Sequence, residues 1–374
     1  NALGDGSHAE GGGTQATQSY AHAEGLSSRA LAMAAHAEGQ ATVKEGAMFG
    51  HAEGLSTTVS GQAAHAEGTR TNAEGVFSHA EGNNTTASGE SSHVEGYYAT
   101  ASGKYSHAEG NNTTASDESS HAEGKNTVAS GIASHAEGEG TEASGTYSHA
   151  EGYGCKASDY TSHAEGFSTT ADAYSHAEGS GTTASGTCSH AEGKTTTAHK
   201  EAAHAEGKNT HAENTCSHAE GDSTHAIGES SHAEGYLTYA KGNYSHAEGY
   251  TSEAKGKGSH AEGLSYANGI YSHSEGSGGS KADGEYSHAE GSATATGNYS
   301  HAEGIATKAL AEGSHAEGRY NIPDINFAHV VGGGTQDNPR NIYSLTWSGD
   351  ATFAGNVTAT RTDGSTISLA DLII

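Results

Sequence analysis

NNTTASDESSHAEG, residues 111–124, carries the pattern that decides the fold. Its last four residues, His121-Ala122-Glu123-Gly124, belong to a His-x-Glu-Gly core that recurs twenty-three times between His8 and His315. Most steps are 14 residues, with a few of 13 or 15. A fixed period this short means one small unit stacked many times, not a globular core. The fourteen residues divide again: Thr113-Thr114-Ala115-Ser116-Asp117 aligns with Ser120-His121-Ala122-Glu123-Gly124 at an offset of seven. In most copies the first half also ends in glycine, as at Gly89. Each coil therefore reads as two five-residue strands, each closed by a glycine that supplies the positive φ of a corner. Two strands per coil, hydrogen-bonded from coil to coil, make a narrow parallel β-roll.

Strand alternation assigns the faces. Ser, Ala and Gly of Ser-His-Ala-Glu-Gly share one side, and His and Glu share the other. A coil this thin has no room inside for His and Glu, so Ser, Thr, Ala and Gly line the interior. Val94 and Ser274 replace the central Ala and keep the interior small. The outward positions of the first strand vary (Thr86/Ser88, Glu142/Ser144, Lys156/Ser158, Tyr239/Lys241, Lys281/Asp283), whereas the second strand presents His and Glu in every coil. Variable positions suit solvent, and an invariant pair suits an invariant environment. The simplest such environment is the same strand of identical chains around a symmetry axis. The expectation is a parallel homotrimer whose seam includes His107, Glu109, His121, Glu123, His135, Glu137, His149, Glu151, His163 and Glu165. At about 4.8 Å per coil the stack would measure roughly 110–115 Å.

At this point the pattern resembles the left-handed parallel β-roll of trimeric autotransporter adhesin heads, the YadA-like head repeat. That family repeats Ser-Val-Ala-Ile-Gly and Ser-x-Ala-x-Gly every fourteen residues. Here His and Glu stand where the family has Val and Ile, over about residues 4–318. The Ser-His-Ala-Glu-Gly version is also similar to repeats in tail-fibre-like proteins of phages and prophages of Gram-positive bacteria. Those continue into segments like His329-Val-Val-Gly-Gly-Gly-Thr335 and Trp347-Ser-Gly-Asp-Ala-Thr-Phe-Ala-Gly355 here. The resemblance implies an all-β, left-handed solenoid forming a parallel homotrimer with a small C-terminal β element. The expected organisation is a repeat shaft over 1–318, a capping coil over 319–335 and a trimeric β element over 336–374. Phe327, His329, Val330 and Val331, with Ile322 and Ile325, read as an apolar cap on the stack. Some relatives carry a further self-cleaving chaperone domain, and a chain that starts at Asn1 reads as processed or partial.

Composition narrows the function. Leu, Ile, Val and Phe number only 33 of 374 residues, yet the strict period and two prolines speak against disorder. The formal charge is −29 with neutral histidine, and 27 added protons would bring it to −2. So acidic a chain is a poor partner for nucleic acid or an anionic membrane, and no apolar run is long enough to insert into a bilayer. Cys188 and Cys216 lie two coils apart, too far for a disulfide, and with Cys155 read as free thiols. No copy of the repeat builds a unique pocket with a nucleophile and base, so the chain does not read as an enzyme. Outward Thr rows, which could suggest ice binding, are broken by Glu, Lys, Tyr and Asn.

Two further readings concern the seam and the tyrosines. Imidazole and carboxylate are ordinary ligands for zinc or nickel, so the ladder could bind a divalent cation. A self-satisfied His–Glu seam accounts better for a pattern that spans every coil, and no cofactor is otherwise implied. Glutamates about 4.8 Å apart repel by roughly 3–4 kcal/mol at an effective dielectric of 20. Protonated histidine with a raised pKa is one way to offset that, and it would stabilise the fold at low pH. Of 18 tyrosines, eight lie two residues before a repeat histidine and read as corner packing between chains. Tyr236, Tyr239, Tyr250 and Tyr266 are candidate contacts to a host glycan or protein, with Tyr239 and Tyr266 on the outward strand. The function expected is a structural fibre: an extracellular shaft of a phage tail or virion surface fibre presenting or forming a host-attachment surface. A bacterial adhesin or filament of the same architecture, and a metal-binding His/Glu scaffold, are the alternatives.

Overall fold

The computed structural model describes residues 1–355, 358–360 and 365–368. All described elements are β-strands, and there is no helix among them. The chain divides into two units, Asn1–Thr195 and Thr196–Ile374. Fourteen of the His-x-Glu-Gly coils fall in the first and nine in the second, and both units are parallel β-solenoids.

Each coil pairs with the next through identical positions. His107, Ala108, Glu109 and Gly110 lie against His121, Ala122, Glu123 and Gly124, and Thr100 and Ala101 against Thr114 and Ala115. Backbone bonds such as His107 N to Ser120 O and Thr100 N to Thr113 O, both 2.9 Å, carry the chain from coil to coil. Ala108, Ala115, Ala122 and their equivalents are fully buried, as are Val94 and Ser274. So narrow an interior has little apolar area to bury, and the backbone ladder is what each added coil completes.

The two strands of a coil are not the equal pair expected. The His strand runs five residues, as in His107–Asn111, while its partner runs two, as in Thr114–Ala115. The reason lies at the glycines. Gly110 has φ +113°, and a Cβ there would sit 2.1 Å from the carbonyl oxygen of Gly124. This glycine is therefore required twice over, and it lets the strand continue past the ladder. Gly89, at the end of the first half, has no positive φ; it is glycine because a Cβ would lie 1.9 Å from the carbonyl oxygen of Gly103. The left-handed corners fall instead on ordinary residues, among them Tyr105, Ser119, Asn112 and Asn126. In many coils the corner before the histidine is fastened by a buried serine: Ser106 Oγ donates to Gly103 O at 2.7 Å and Ser134 Oγ to Gly131 O at 2.7 Å.

Irregular steps leave the ladder in register. In the first unit, His36–Val43 pairs with His51–Val59 with His on His and Glu on Glu, and the extra residue is absorbed between Gln40 and Thr42. In the second unit, His260–Ala267 meets His273–Ala282 with the shift between Gly263 and Ser265.

The second unit ends in a change of topology. Phe327–Gly333 continues the parallel stack, His329 on His315 and Val330 on Ala316, and then pairs antiparallel with Asn341–Thr346. Ala351–Phe353 adds a third strand. Thr358–Thr360 and Thr366–Ser368 form a separate two-stranded pair. Two asparagine amides fix this end by imitating a strand's backbone. Asn321 accepts from Lys308 N at 2.8 Å and donates to Lys308 O at 3.0 Å; Asn341 does the same with Ile322, at 2.7 and 3.0 Å. The cap is not the apolar plug expected: Val330 is buried with Phe327 packed beside it, but Ile322 and Ile325 are 51% and 68% exposed. A hairpin closes the stack by backbone pairing and leaves those side chains outside. The rest of the expected element, at 356–357, 361–364 and 369–374, lies outside the described residues.

Candidate interface: the His/Glu ladder

Within each unit, in-register parallel pairing brings consecutive ladder histidines over one another. In the first unit the imidazoles from His22 to His190 stack with centroids 4.6–5.0 Å apart. In the second they stack from His204 to His329 at 4.7–4.8 Å. The glutamate two residues on lies beside its histidine: Nε2 to Oε2 is 3.6 Å at His51–Glu53, 3.9 Å at both His107–Glu109 and His121–Glu123, and 3.6 Å at His163–Glu165. His135, Glu137, His149 and Glu151 occupy the same rows between them. These side chains are half-buried in a single chain. The Nε2 atoms of His107, His121, His135, His149 and His163 are nonetheless closed to solvent and without a hydrogen-bond partner.

Within the single chain the ladder histidines are shifted downward, whereas the raised pKa values were expected for the assembled trimer. Burial pushes the imidazoles of His107, His121, His135 and His163 below their ordinary value. The charge of stacked histidines pushes the same way, and the glutamates oppose it more weakly. His218, His232 and His246 in the second unit behave alike, for the same causes in the same order. Burial is the largest cause, the neighbouring histidine adds to it, and together they outweigh the carboxylates. At the last coil, where Val331 replaces the glutamate, His329 reaches back to Glu317, Nε2 to Oε1 3.2 Å.

The variable strand stacks on itself as well. His211 and His225 lie 4.8 Å apart, and Tyr239 continues the pile at 5.0 Å, with Lys241 Nζ 5.2 Å from its ring centre. Tyr266 lies under Lys281 at 5.6 Å. Tyr239 and Tyr266 are therefore half-buried, which corrects their selection as the more exposed pair; Tyr236 and Tyr250 are 44% and 59% exposed. The eight tyrosines that precede a ladder histidine are 49–71% exposed, each at a left-handed corner. Among them Tyr271, Tyr286 and Tyr299 form a column at 5.4 and 5.1 Å. This second, outward stacking and the two asparagine clamps were not read from the sequence. The signal for the first was present, in His211, His225 and Tyr239 recurring at fourteen-residue steps. Cys155 is buried at a position threonine fills in neighbouring coils, Cys188 and Cys216 are exposed at corners, and all three are free thiols.

No known protein family matches the sequence, and no curated protein does. No helix among the described residues is long and apolar enough to cross a membrane.

Proposed function

We propose that this chain is the structural shaft of a fibre, a parallel homotrimer with the His/Glu ladders turned toward the common axis. In this reading it belongs to a phage tail or virion surface fibre, outside the cell, and holds or forms a surface that attaches to a host. One observation carries the reading. The ladder repeats His and Glu in every coil, and the Nε2 atoms of His107, His121, His135, His149 and His163 are shut from water and make no hydrogen bond, while the outward strand changes from coil to coil. A buried polar atom left unsatisfied costs about 1–3 kcal/mol. A row of them is unfavourable in an isolated chain and is relieved when identical rows from other chains supply donors and acceptors. The buried threonines are a different case. Thr113 and Thr127 Oγ1 also lack partners, but at the same position Ser252 and Thr307 donate to Glu248 O and Glu303 O at 2.8 Å, so an acceptor lies one side-chain rotation away.

The test is the mass in solution by light scattering at pH 5, 7 and 9. A particle of three times the 37.7 kDa chain mass is expected at neutral pH. A monomer at all three would remove the symmetry argument and leave the uniform face to be explained as a binding surface.

A further inference from the structure

The ladder also holds the donor set of a metal site, within one chain and many times over. Among the described residues, ten groups of three or more histidine, cysteine or acidic residues place one ligand atom from each within 4.8 Å of the others. They include His51–Glu53–His65, His121–Glu123–His135 and His163–Glu165–His176 in the first unit, and His204–Glu206–His218 in the second. Within a rung the nitrogen and oxygen are already close, 3.3 Å at His22–Glu24 and 3.6 Å at His65–Glu67. Two atoms bound to one tetrahedral ion at about 2.1 Å lie roughly 3–3.5 Å apart. The His-to-His gap is wider, and closing it takes a tilt of two half-exposed rings. The Nε2 atoms of His51, His65, His121, His135 and His163 have no hydrogen-bond partner that an ion would have to displace.

We propose that the ladder is a linear array of sites for divalent cations of the zinc, nickel or cobalt type, each held by two imidazole nitrogens of consecutive coils and one carboxylate between them. Mixed nitrogen and oxygen ligands favour these ions over calcium and magnesium, which prefer oxygen alone. The array answers a need the ladder creates. Glutamates stacked one coil apart repel each other, and a divalent ion held beside them supplies opposite charge. The geometry also sets a ceiling. The groups His51–Glu53–His65 and His65–Glu67–His79 share His65, so through Nε2 only one of them fills at a time. The ceiling is one ion for every two coils. The ligand set lies within one chain, so the proposal does not depend on the trimer.

Equilibrium dialysis of the full chain against zinc ion, followed by metal analysis, reads the stoichiometry. The expected value rises toward one ion per two coils. A variant carrying Glu109→Gln, Glu123→Gln, Glu137→Gln, Glu151→Gln and Glu165→Gln keeps every histidine and should lose two or three ions. Binding of no more than an ion or two per chain, or a stoichiometry that the five glutamine substitutions leave unchanged, overturns the array. If that variant fails to fold, cobalt absorption on the unaltered chain decides: visible bands of tetrahedral nitrogen–oxygen ligation are expected, and their absence overturns the proposal. Light scattering on the same samples separates this from the fibre reading, since a metal-free trimer sinks only the array and a metal-loaded monomer sinks only the trimer.

Discussion

The strand that starts at each ladder histidine runs five residues in most coils and shows one set of side chains throughout. The strand across the coil runs two, and its outward residues change from Thr to Glu, Lys, His or Tyr. Both stack in register on copies of themselves, and both have the same interior of Ala and Ser or Thr. They differ in what the outer surface must satisfy. On the short strand, unlike residues in consecutive coils neutralise one another, as Lys156 does with Glu142 at 3.6 Å. On the long strand, like is stacked on like, and the group beside each glutamate is a histidine of its own rung or of the next. Sequence variety is thus a means of balancing charge along a solenoid, and its absence marks the face whose balance comes from elsewhere.

The largest effect should come from the residue that lets the long strand form. Gly110→Ala puts a side chain at φ +113° and into the Gly124 carbonyl, and should destabilise the fold by about 3 kcal/mol or more. An unchanged melting temperature would show that the two coils are not in such close approach. Acid should come next. The lowered histidines bind protons more readily in the unfolded chain, so the stability they contribute is present above the ordinary value of about 6.5 and is lost as pH falls through the folded values. The melting temperature should therefore drop on the acid side. A rise there would mean that carboxylates of other chains surround the imidazoles and reverse the sign. Cys155→Thr restores the residue of the neighbouring coils, and denaturant unfolding should move by less than about 1 kcal/mol. In the native protein, Cys188 and Cys216 should react with a thiol reagent while Cys155 does not; protection of the exposed pair would place the corners in an interface. Smallest of all, Lys156→Ala on the short variable strand should leave the melting temperature unchanged within error, since its ion pair is open to water. A clear loss would make the variable face structural too.

Much of this comparison was legible in the sequence. Period two within each half-repeat placed Ala115 and Ala122 inside and His121 and Glu123 outside, because alternation follows from the pleat alone. The inequality of the two strands was hidden, since it depends on which glycine carries the positive φ, and the letters at Gly89 and Gly110 are the same. The depth of Tyr239 and Tyr266 was hidden for a related reason. An outward residue in an isolated strand is exposed, but in register it is covered on both faces by its counterparts one coil away. The downward histidine shifts of the single chain were not foreseen, because the glutamates were weighed and neither burial nor the stacked histidines were. At the cap, Ile322 and Ile325 looked like a plug by composition, whereas the fold closes through Asn321, Asn341 and a hairpin, which composition does not reveal.

In-register stacking of identical rungs has one more consequence. A ladder in which every step looks like the next contains no address: one chain displaced by a whole coil against another would meet the same histidines and glutamates. If chains assemble in parallel as proposed, their alignment must come from marks that occur once. The displaced strand pairing at Gln40 and Thr42, the shift at Gly263 and Ser265, and the antiparallel turn after Gly333 are such marks. A whole coil could be gained or lost between them without disturbing any mark, so length is free to drift in steps of fourteen residues while alignment is kept.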